Sequence, residues 1–439
     1  MTAVRRWLSS DAWAGWPVWL WIALAGVVVR LGYLGITAAF SPVPDWATMP
    51  PDAKEYVHAA ASILHGRYET FDDPRFHYYR SPGYPALVAL VALVTRTQPG
   101  GWPLLVVQAF MSGLWCALIY LLARRLRLAA GVATLAGLAA VMDPTAVALT
   151  PVVLSDLPTA TVLLASTWFL VVGVQDGGRV RFAASGLLLG YAVLMRPASY
   201  GFIVVWLILA LLWPRERHLR PSALALLVAV ALVLPLAWAT HVHSRTGVWA
   251  LDTISSQRFY TCTATGLAAR GDPHTHARLF LAARRREQRF LSTMRSEQGR
   301  VRWEQAQADS AIHANLDGIP LHVARTTAYV LLSPSKEYYL QFPRPPGAPT
   351  TASLPYKLFS VALAALSAWG LIVLAVARDW RSVGVLAVVT GSALAASLFV
   401  GAIGGERIIL PGAFGLLTSG AAGAWWFILR ISNPGGEEK

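Results

Sequence analysis

The chain has 439 residues, 55% of them hydrophobic and only 14% charged, with a mean hydropathy of +0.49. A soluble domain carries about 25% charged residues, so this composition excludes an ordinary soluble fold and points to a membrane protein. The net charge of +14 is mostly arginine; with no nucleic-acid module in the chain, it favours anionic lipid and phosphate over nucleic acid as partner.

The first hydrophobic run begins near Pro17. It is long and lacks a small-residue cleavage site, so it reads as a spanning helix and not as a cleavable signal. A span needs about 20 apolar residues. Spans are expected near 17–38, 102–123, 129–149, 158–174, 182–196, 198–213, 221–241, 356–377, 383–403 and 408–429. The expected fold is therefore an all-α polytopic membrane protein of about ten helices. The sequence divides into a membrane module over 1–241 with a first outer loop at 41–101, a helical outer segment over 242–355, C-terminal spans over 356–431 and a polar tail over 432–439.

Between the first two spans lies Pro51 to Pro85, the first long polar stretch. Tyr56, Ala59, Ala60, Ile63 and Leu64 recur with the spacing of one helix face, and Gly66 stands where such a helix stops. An amphipathic helix at the membrane surface fits this pattern. The run 83–97 is apolar but about 15 residues long, short for a span, so it is read as interfacial or re-entrant. Short basic loops around Arg5, Arg124–Arg127, Arg179, Arg215, Arg378 and Arg430 then share one side. By the positive-inside rule that side, with both termini, is cytoplasmic. In the outer segment, helical patterns run over about 275–297, 303–316 and 320–332. The two cysteines, Cys116 and Cys262, frame neither a disulfide scaffold nor a metal site. No P-loop or GxGxxG is present, which argues against nucleotide chemistry.

With this topology the unusual polar residues gather on the outer face. Asp52 opens the first loop's helix, Asp156 lies in Leu154-Ser155-Asp156, Arg196 precedes Pro197, and Glu406-Arg407 opens the last span. Arg30 lies inside the first span. Charges at such depth are costly and mark function by default. Each has a plainer reading: Asp52 with Glu55 forms a capping-box pattern, Asp156 could cap the fourth span, Arg30 could snorkel and Glu406 and Arg407 could simply pair. Asp72-Asp73-Pro74 reads as a turn. Together, two carboxylates and several arginines suit one chemistry. A carboxylate takes the proton of an attacking hydroxyl, and arginines neutralise a departing lipid phosphate.

The order of these features resembles the GT-C membrane glycosyltransferases, in the group with bacterial protein mannosyltransferases and lipid A aminoarabinose transferases. The similar pieces are Pro51-Asp52-Ala53-Lys54-Glu55-Tyr56, Tyr79-Arg80-Ser81-Pro82-Gly83-Tyr84-Pro85, Leu154-Ser155-Asp156, Met195-Arg196-Pro197 and Glu406-Arg407-Ile408-Ile409-Leu410-Pro411. The resemblance implies a polyprenyl-phosphate-sugar donor and transfer to a glycan, lipid or protein acceptor on the outer face of a bacterial cytoplasmic membrane. It puts Asp52 in the place of the family's first-loop catalytic Asp, with Asp156 where the second-loop acid is often Glu. Substrate-binding candidates are Glu55, Tyr56, Tyr79 and Arg80 from the similar motifs, and Arg30, Arg196, Glu406 and Arg407 from their depth. No cofactor is assigned, and a divalent metal is left open. The competing readings are an O-antigen ligase or polymerase, which needs no acid at the exit of the first span, and a flippase, which predicts paired repeats.

Overall fold

The computed structural model describes residues 12–13, 15–40, 51–204, 221–332, 354–379, 382–384, 386 and 413–432. A two-residue ribbon, β1 (Ala12–Trp13) against β2 (Trp16–Pro17), turns at Gly15 and leads into α1 (Val18–Phe40). The helices that follow are α2 (Pro51–Leu64), α3 (Gly83–Thr95), α4 (Trp102–Arg125), α5 (Ala130–Val141), α6 (Pro144–Leu149), α7 (Asp156–Asp176), α8 (Arg179–Met195) and α9 (Pro221–Thr246). The segment after α9 holds α10 (Ile254–Arg258), a π-helical turn over Phe259–Ala264, α11 (Thr265–Ala268), α12 (Pro273–Leu291), α13 (Glu297–His313) and α14 (Ile319–Leu332). Two helices follow, α15 (Leu354–Val376) and α16 (Ala413–Ser432).

This is an all-α polytopic membrane protein. Five of the described helical stretches are long and apolar enough to cross a membrane: Val18–Ala39, Trp102–Arg125, Ala130–Leu149, Asp156–Asp176 and Pro221–Thr246. α7 and α8 form an antiparallel hairpin, α9 packs along α8, and α4 packs between α1 and α7. Small residues let these backbones approach. Gly26 meets the Gly113 backbone between α1 and α4, and a Cβ on Gly423 would sit 2.5 Å from the Leu366 carbonyl between α16 and α15. Of the remaining expected spans, most of 198–213 and 383–403 falls outside the described residues, as does the start of 408–429.

Two expectations change in detail, on α2 and on the span near 129–149, while the run at 83–97 is short as expected. α2 buries Ala53, Tyr56, Ala59, Ala60 and Ser62, whereas Leu64, expected on that face, is 40% exposed. Helix α3 has 13 residues and ends on Arg96 in the left-handed region; at 1.5 Å per residue it falls short of the roughly 30 Å hydrocarbon core. The expected span 129–149 is broken at Met142–Asp143, where Asp143 caps α6 by accepting from the Ala146 N–H at 2.8 Å. Pro144 follows at once and has no N–H to return to Ala140.

Helix ends are marked by left-handed residues. Gly66 and Gly177 are glycines, but Arg96, Arg127, Arg270 and Arg378 adopt positive φ with a side chain present. At Arg127 and Arg378 the next residue's N–H reaches back over the turn, from Leu128 to Ala123 and from Asp379 to Leu374, the wrap that satisfies the last helix carbonyls.

Candidate active site

The site lies where α2, α7 and α8 end together under the segment that follows α9. Pro51 suits the first turn of α2, and the periodic alanines behind it give good helix propensity. That turn presents Asp52 and, one turn on, Glu55. The loop after α2 returns to them. It turns at Gly66, is pinned where the Thr70 N–H donates to the His77 carbonyl, and is pinned again where Arg75 pairs with Asp73. The Tyr68 hydroxyl donates to the Arg80 carbonyl at 2.6 Å. Two backbone bonds, Thr253 N–H to Tyr78 and Ile254 N–H to Tyr79, clamp the loop from the far side.

Arg80 is thereby held in a fork of carboxylates. Its Nη2 donates to Asp52 Oδ1 at 2.7 Å and its Nε to Glu55 Oε2 at 2.5 Å. The guanidinium lies 5.1 Å from the Tyr56 ring centroid and 5.8 Å from that of Tyr79, within reach of a cation–π attraction. Arg258 approaches Asp52 from α10 at 3.9 Å. Burial pushes the Glu55 carboxyl above its usual range, Arg80 pulls it back and Asp52 raises it further. Burial works against the Arg80 charge as well, but Asp52, Tyr56 and Glu55 together hold it well above the usual guanidinium range.

Tyr56 carries the network into the bundle. Its hydroxyl shares a hydrogen bond of 3.0 Å with Ser155, and its ring meets Tyr84 edge to face at 4.9 Å. Ser155 immediately precedes Asp156, which begins α7. Asp156 does not cap that helix: its carboxylate is paired with Arg196, the residue that ends α8. The pair is deeply set, with Asp156 buried and Arg196 partly so. Residues 52, 55, 56, 80, 155, 156 and 196, which sequence reading separated into four motifs, come together with Arg258 as one cluster: Arg80 bonded to Asp52 and Glu55, Tyr56 to Ser155 and Asp156 to Arg196, joined by the Arg80–Tyr56 ring contact and the adjacency of Ser155 and Asp156. Its three carboxylates face three guanidinium groups.

One expected member, Arg30, lies elsewhere. Arg30 is fully buried inside the bundle, donating to Ser112 Oγ at 2.9 Å, to the Ala140 carbonyl at 2.8 Å and to the Val141 carbonyl. Those are carbonyls released by the helix break at Asp143-Pro144, so the guanidinium serves as an internal cap and does not join the cluster. Glu406 and Arg407 fall outside the described residues.

The supporting layer comes from the segment after α9, and sequence reading missed it. The Tyr79 hydroxyl donates to Gln257 at 2.5 Å, and Gln257 in turn donates to Glu287. Arg300 is fully buried, 5.6 Å from the Tyr79 ring centroid, between Glu304 at 3.0 Å and Glu297 at 3.4 Å. Asp252 is buried and bound to Ser255; burial pushes it upward while Ser255 and Arg80 oppose. The available signal was Glu297, Arg300, Val301, Glu304 and Ala308 on one helix face, charged residues in the positions of core residues.

A family model described as dolichyl-phosphate-mannose-protein mannosyltransferase matches residues 79–241. Among solved structures, the apo oligosaccharyltransferase of Archaeoglobus fulgidus superposes with a TM-score of 0.53 at 13% identity, covering 94% of this chain and 52% of that one. The archaeal oligosaccharyltransferase AglB from the same organism, in complex with an inhibitory peptide and a dolichol-phosphate, gives 0.53 at 13% identity over 96% and 52%. The fold is that of the GT-C membrane glycosyltransferases. The chain spans about half the length of those oligosaccharyltransferases. ArnT from Cupriavidus metallidurans bound to undecaprenyl phosphate is also similar, with a TM-score of 0.41 at 17% identity over 94% and 79%. No curated protein matches the sequence significantly. The matched range 79–241 contains Arg80, Asp156 and Arg196 but begins after Asp52. Among the described residues of this GT-C fold, no group of three His, Cys, Asp or Glu side chains converges as a metal site.

Proposed function

We propose that the protein is an integral membrane glycosyltransferase that moves a sugar from a polyprenyl-phosphate-linked donor to an acceptor hydroxyl, on the outer face of a bacterial cytoplasmic membrane. The observation that carries this reading is the convergence of Asp52, Arg80, Asp156 and Arg196 at one end of α2, α7 and α8. The donor class is supported by the dolichyl-phosphate-mannose description of the matching family and by the dolichol-phosphate in the AglB complex. A glycan, lipid or protein can supply the hydroxyl.

In this reaction Asp52 accepts the proton of the acceptor hydroxyl as its oxygen attacks the anomeric carbon. The new C–O bond forms as the bond from that carbon to the phosphate oxygen breaks, and the lipid phosphate leaves with the electron pair. Arg80 and Arg258 neutralise the developing charge, because guanidinium donors match phosphate oxygens. An arriving phosphate competes with Asp52 for those two arginines, which frees carboxylate lone pairs for the incoming hydroxyl. Asp156 fixes Arg196 at the same rim, and Glu55 keeps Arg80 aimed.

The test is transfer from a polyprenyl-phosphate-linked sugar by protein reconstituted in lipid nanodiscs. Asp52→Asn keeps the size and several of the hydrogen bonds of the native side chain, so it is expected to fold and insert while turnover falls roughly 10²–10⁴-fold. Near-normal transfer by this variant would refute the general-base role.

A further inference from the structure

Against the loop after α2 lies a concavity of about 780 Å3, a size typical of pockets that engulf small ligands. Its walls are the loop itself, the last turn of α9 with His241 and Arg245, and the start of α13 with Arg295 and Gln298. None of its lining residues belongs to the Asp52 constellation.

The charge balance of this cavity favours an anion. Among the described residues neither Arg245 nor Arg295 forms an ion pair. Arg67 does pair with Glu69, but at 3.8 Å and with Arg67 largely exposed, an arrangement of little strength. The other lining carboxylate, Glu297, is turned inward: Thr253 Oγ1 donates to it at 2.5 Å, the Tyr78 N–H at 3.2 Å and Arg300 at 3.4 Å. Its charge is thus spent within the protein. Ser296 caps α13 and accepts from the Gly299 N–H, so the positive end of a 17-residue helix also faces the space.

The wall beside these arginines is aromatic, although Tyr78 is itself buried against Tyr68. Tyr68, Tyr78 and His241 line it, backed by Trp238, whose ring centroid lies 4.8 Å from Tyr68, 5.9 Å from Tyr78 and 5.3 Å from His241. Aromatic faces with polar tips cover the C–H faces of a sugar ring while leaving its hydroxyls to polar neighbours. Gln298 and Glu69 supply such neighbours. An inorganic anion would use the arginines and leave this aromatic wall idle.

We infer that the cavity between the Tyr68–Tyr78 loop, the end of α9 and the start of α13 is a binding site for an anionic saccharide, one carrying carboxylate or phosphate groups. Its place beside Arg80 makes it the approach of an acidic acceptor glycan, a detail that rests on the transfer reading; binding itself does not.

The experiment is isothermal titration calorimetry on the full chain in detergent micelles, with trigalacturonate as carboxylate probe, glucose 6-phosphate as phosphate probe and maltotriose as neutral control. Saturable binding of at least one anionic probe is expected, at least tenfold tighter than maltotriose and weakened by salt. The double variant Arg245→Ala/Arg295→Ala, both at exposed positions, should lose at least tenfold in affinity with an unchanged melting temperature. Tyr78→Ala should weaken the anionic sugar while inorganic phosphate binding stays as it is in wild type. Asp52→Asn should bind like wild type, so loss of transfer by that variant leaves this inference standing. Equal binding of maltotriose, no effect of the double variant, or complete displacement of the sugar by stoichiometric phosphatidylglycerol, which would mark a lipid-headgroup site, would each overturn it.

Discussion

Arg196 poses a choice between a structural and a chemical role. Its guanidinium is committed to Asp156 at the junction of α7 and α8, and it retains further donors that can face an incoming phosphate. Arg196→Lys keeps the charge but loses the planar fork. If phosphate binding is its task, the donor-dependent rate should fall about tenfold or more while the melting temperature stays close to wild type. If the pair is purely structural, breaking it by Asp156→Asn should cost about 3–5 kcal/mol and lower stability along with activity. Rate and melting temperature measured on both variants separate the two, and a stability loss that accounts for all the lost activity would end the phosphate role. Glu304 poses a different question. Burial pushes its carboxyl up to about 7, against the pull of Arg300 and with the push of Glu287. The unfolded chain releases that proton near pH 4.5, so between there and about pH 7 the folded state binds more protons and stability falls as pH rises. Glu304→Gln removes this contribution. Thermal unfolding scans from pH 5 to 7.5 should show wild type losing stability more steeply than the variant; parallel slopes would contradict the assignment.

At the scale of elements, the junction of α3 with α8 is set by a single glycine. A Cβ on Gly83 would lie 2.4 Å from the Met195 nitrogen and 2.5 Å from the Leu194 carbonyl carbon, and the Tyr191 hydroxyl donates to the Gly83 carbonyl at 3.0 Å. Backbone cannot move aside as a side chain can. Gly83→Ala should therefore cost at least the 1–3 kcal/mol of ordinary overpacking, seen as a lower melting temperature and, because Arg80 is three residues away, as lost transfer. A variant with wild-type melting would show that the junction is looser than its geometry. α2 was legible in sequence because an amphipathic face and a stop at Gly66 are local signals. Asp52, Asp156 and Arg196 were legible as unusual charges at helix ends. Their joining through Arg80 and Tyr56 was not, because the Asp52–Arg80 contact closes over 28 residues, the helix α2 and then an irregular loop whose path is fixed by the distant Thr253 and Ile254 amides. Arg300 and Glu304 escaped because a charged i, i+4 pair on a polar helix ordinarily reads as a solvated face. Arg30 was read as functional because a charge in a span is costly; the carbonyls that offset that cost become visible only once the break at Pro144 is known.

The whole molecule turns on its orientation in the bilayer. With α3 too short to cross, the loop after it and the loop between α7 and α8 should lie on opposite sides. Both native cysteines are buried, which leaves a quiet background for labelling. Cysteines at the exposed positions Gln98 and Arg179 should differ toward an impermeant thiol reagent in intact cells, Gln98→Cys reacting from outside and Arg179→Cys only after lysis. Outside labelling of Arg179→Cys would invert the topology and remove the site from the outer face. The arginines that end helices at positive φ bear on how this orientation is reached. A glycine at Arg127 or Arg378 would relieve about 1 kcal/mol of left-handed backbone strain, a change that selection for stability alone would favour. On the expected orientation both positions lie in cytoplasmic loops, where arginine also holds the loop back during insertion. On that orientation fold stability and biogenesis pull these positions in opposite directions, and arginine there would accept a somewhat less relaxed helix end in exchange for a fixed direction of insertion.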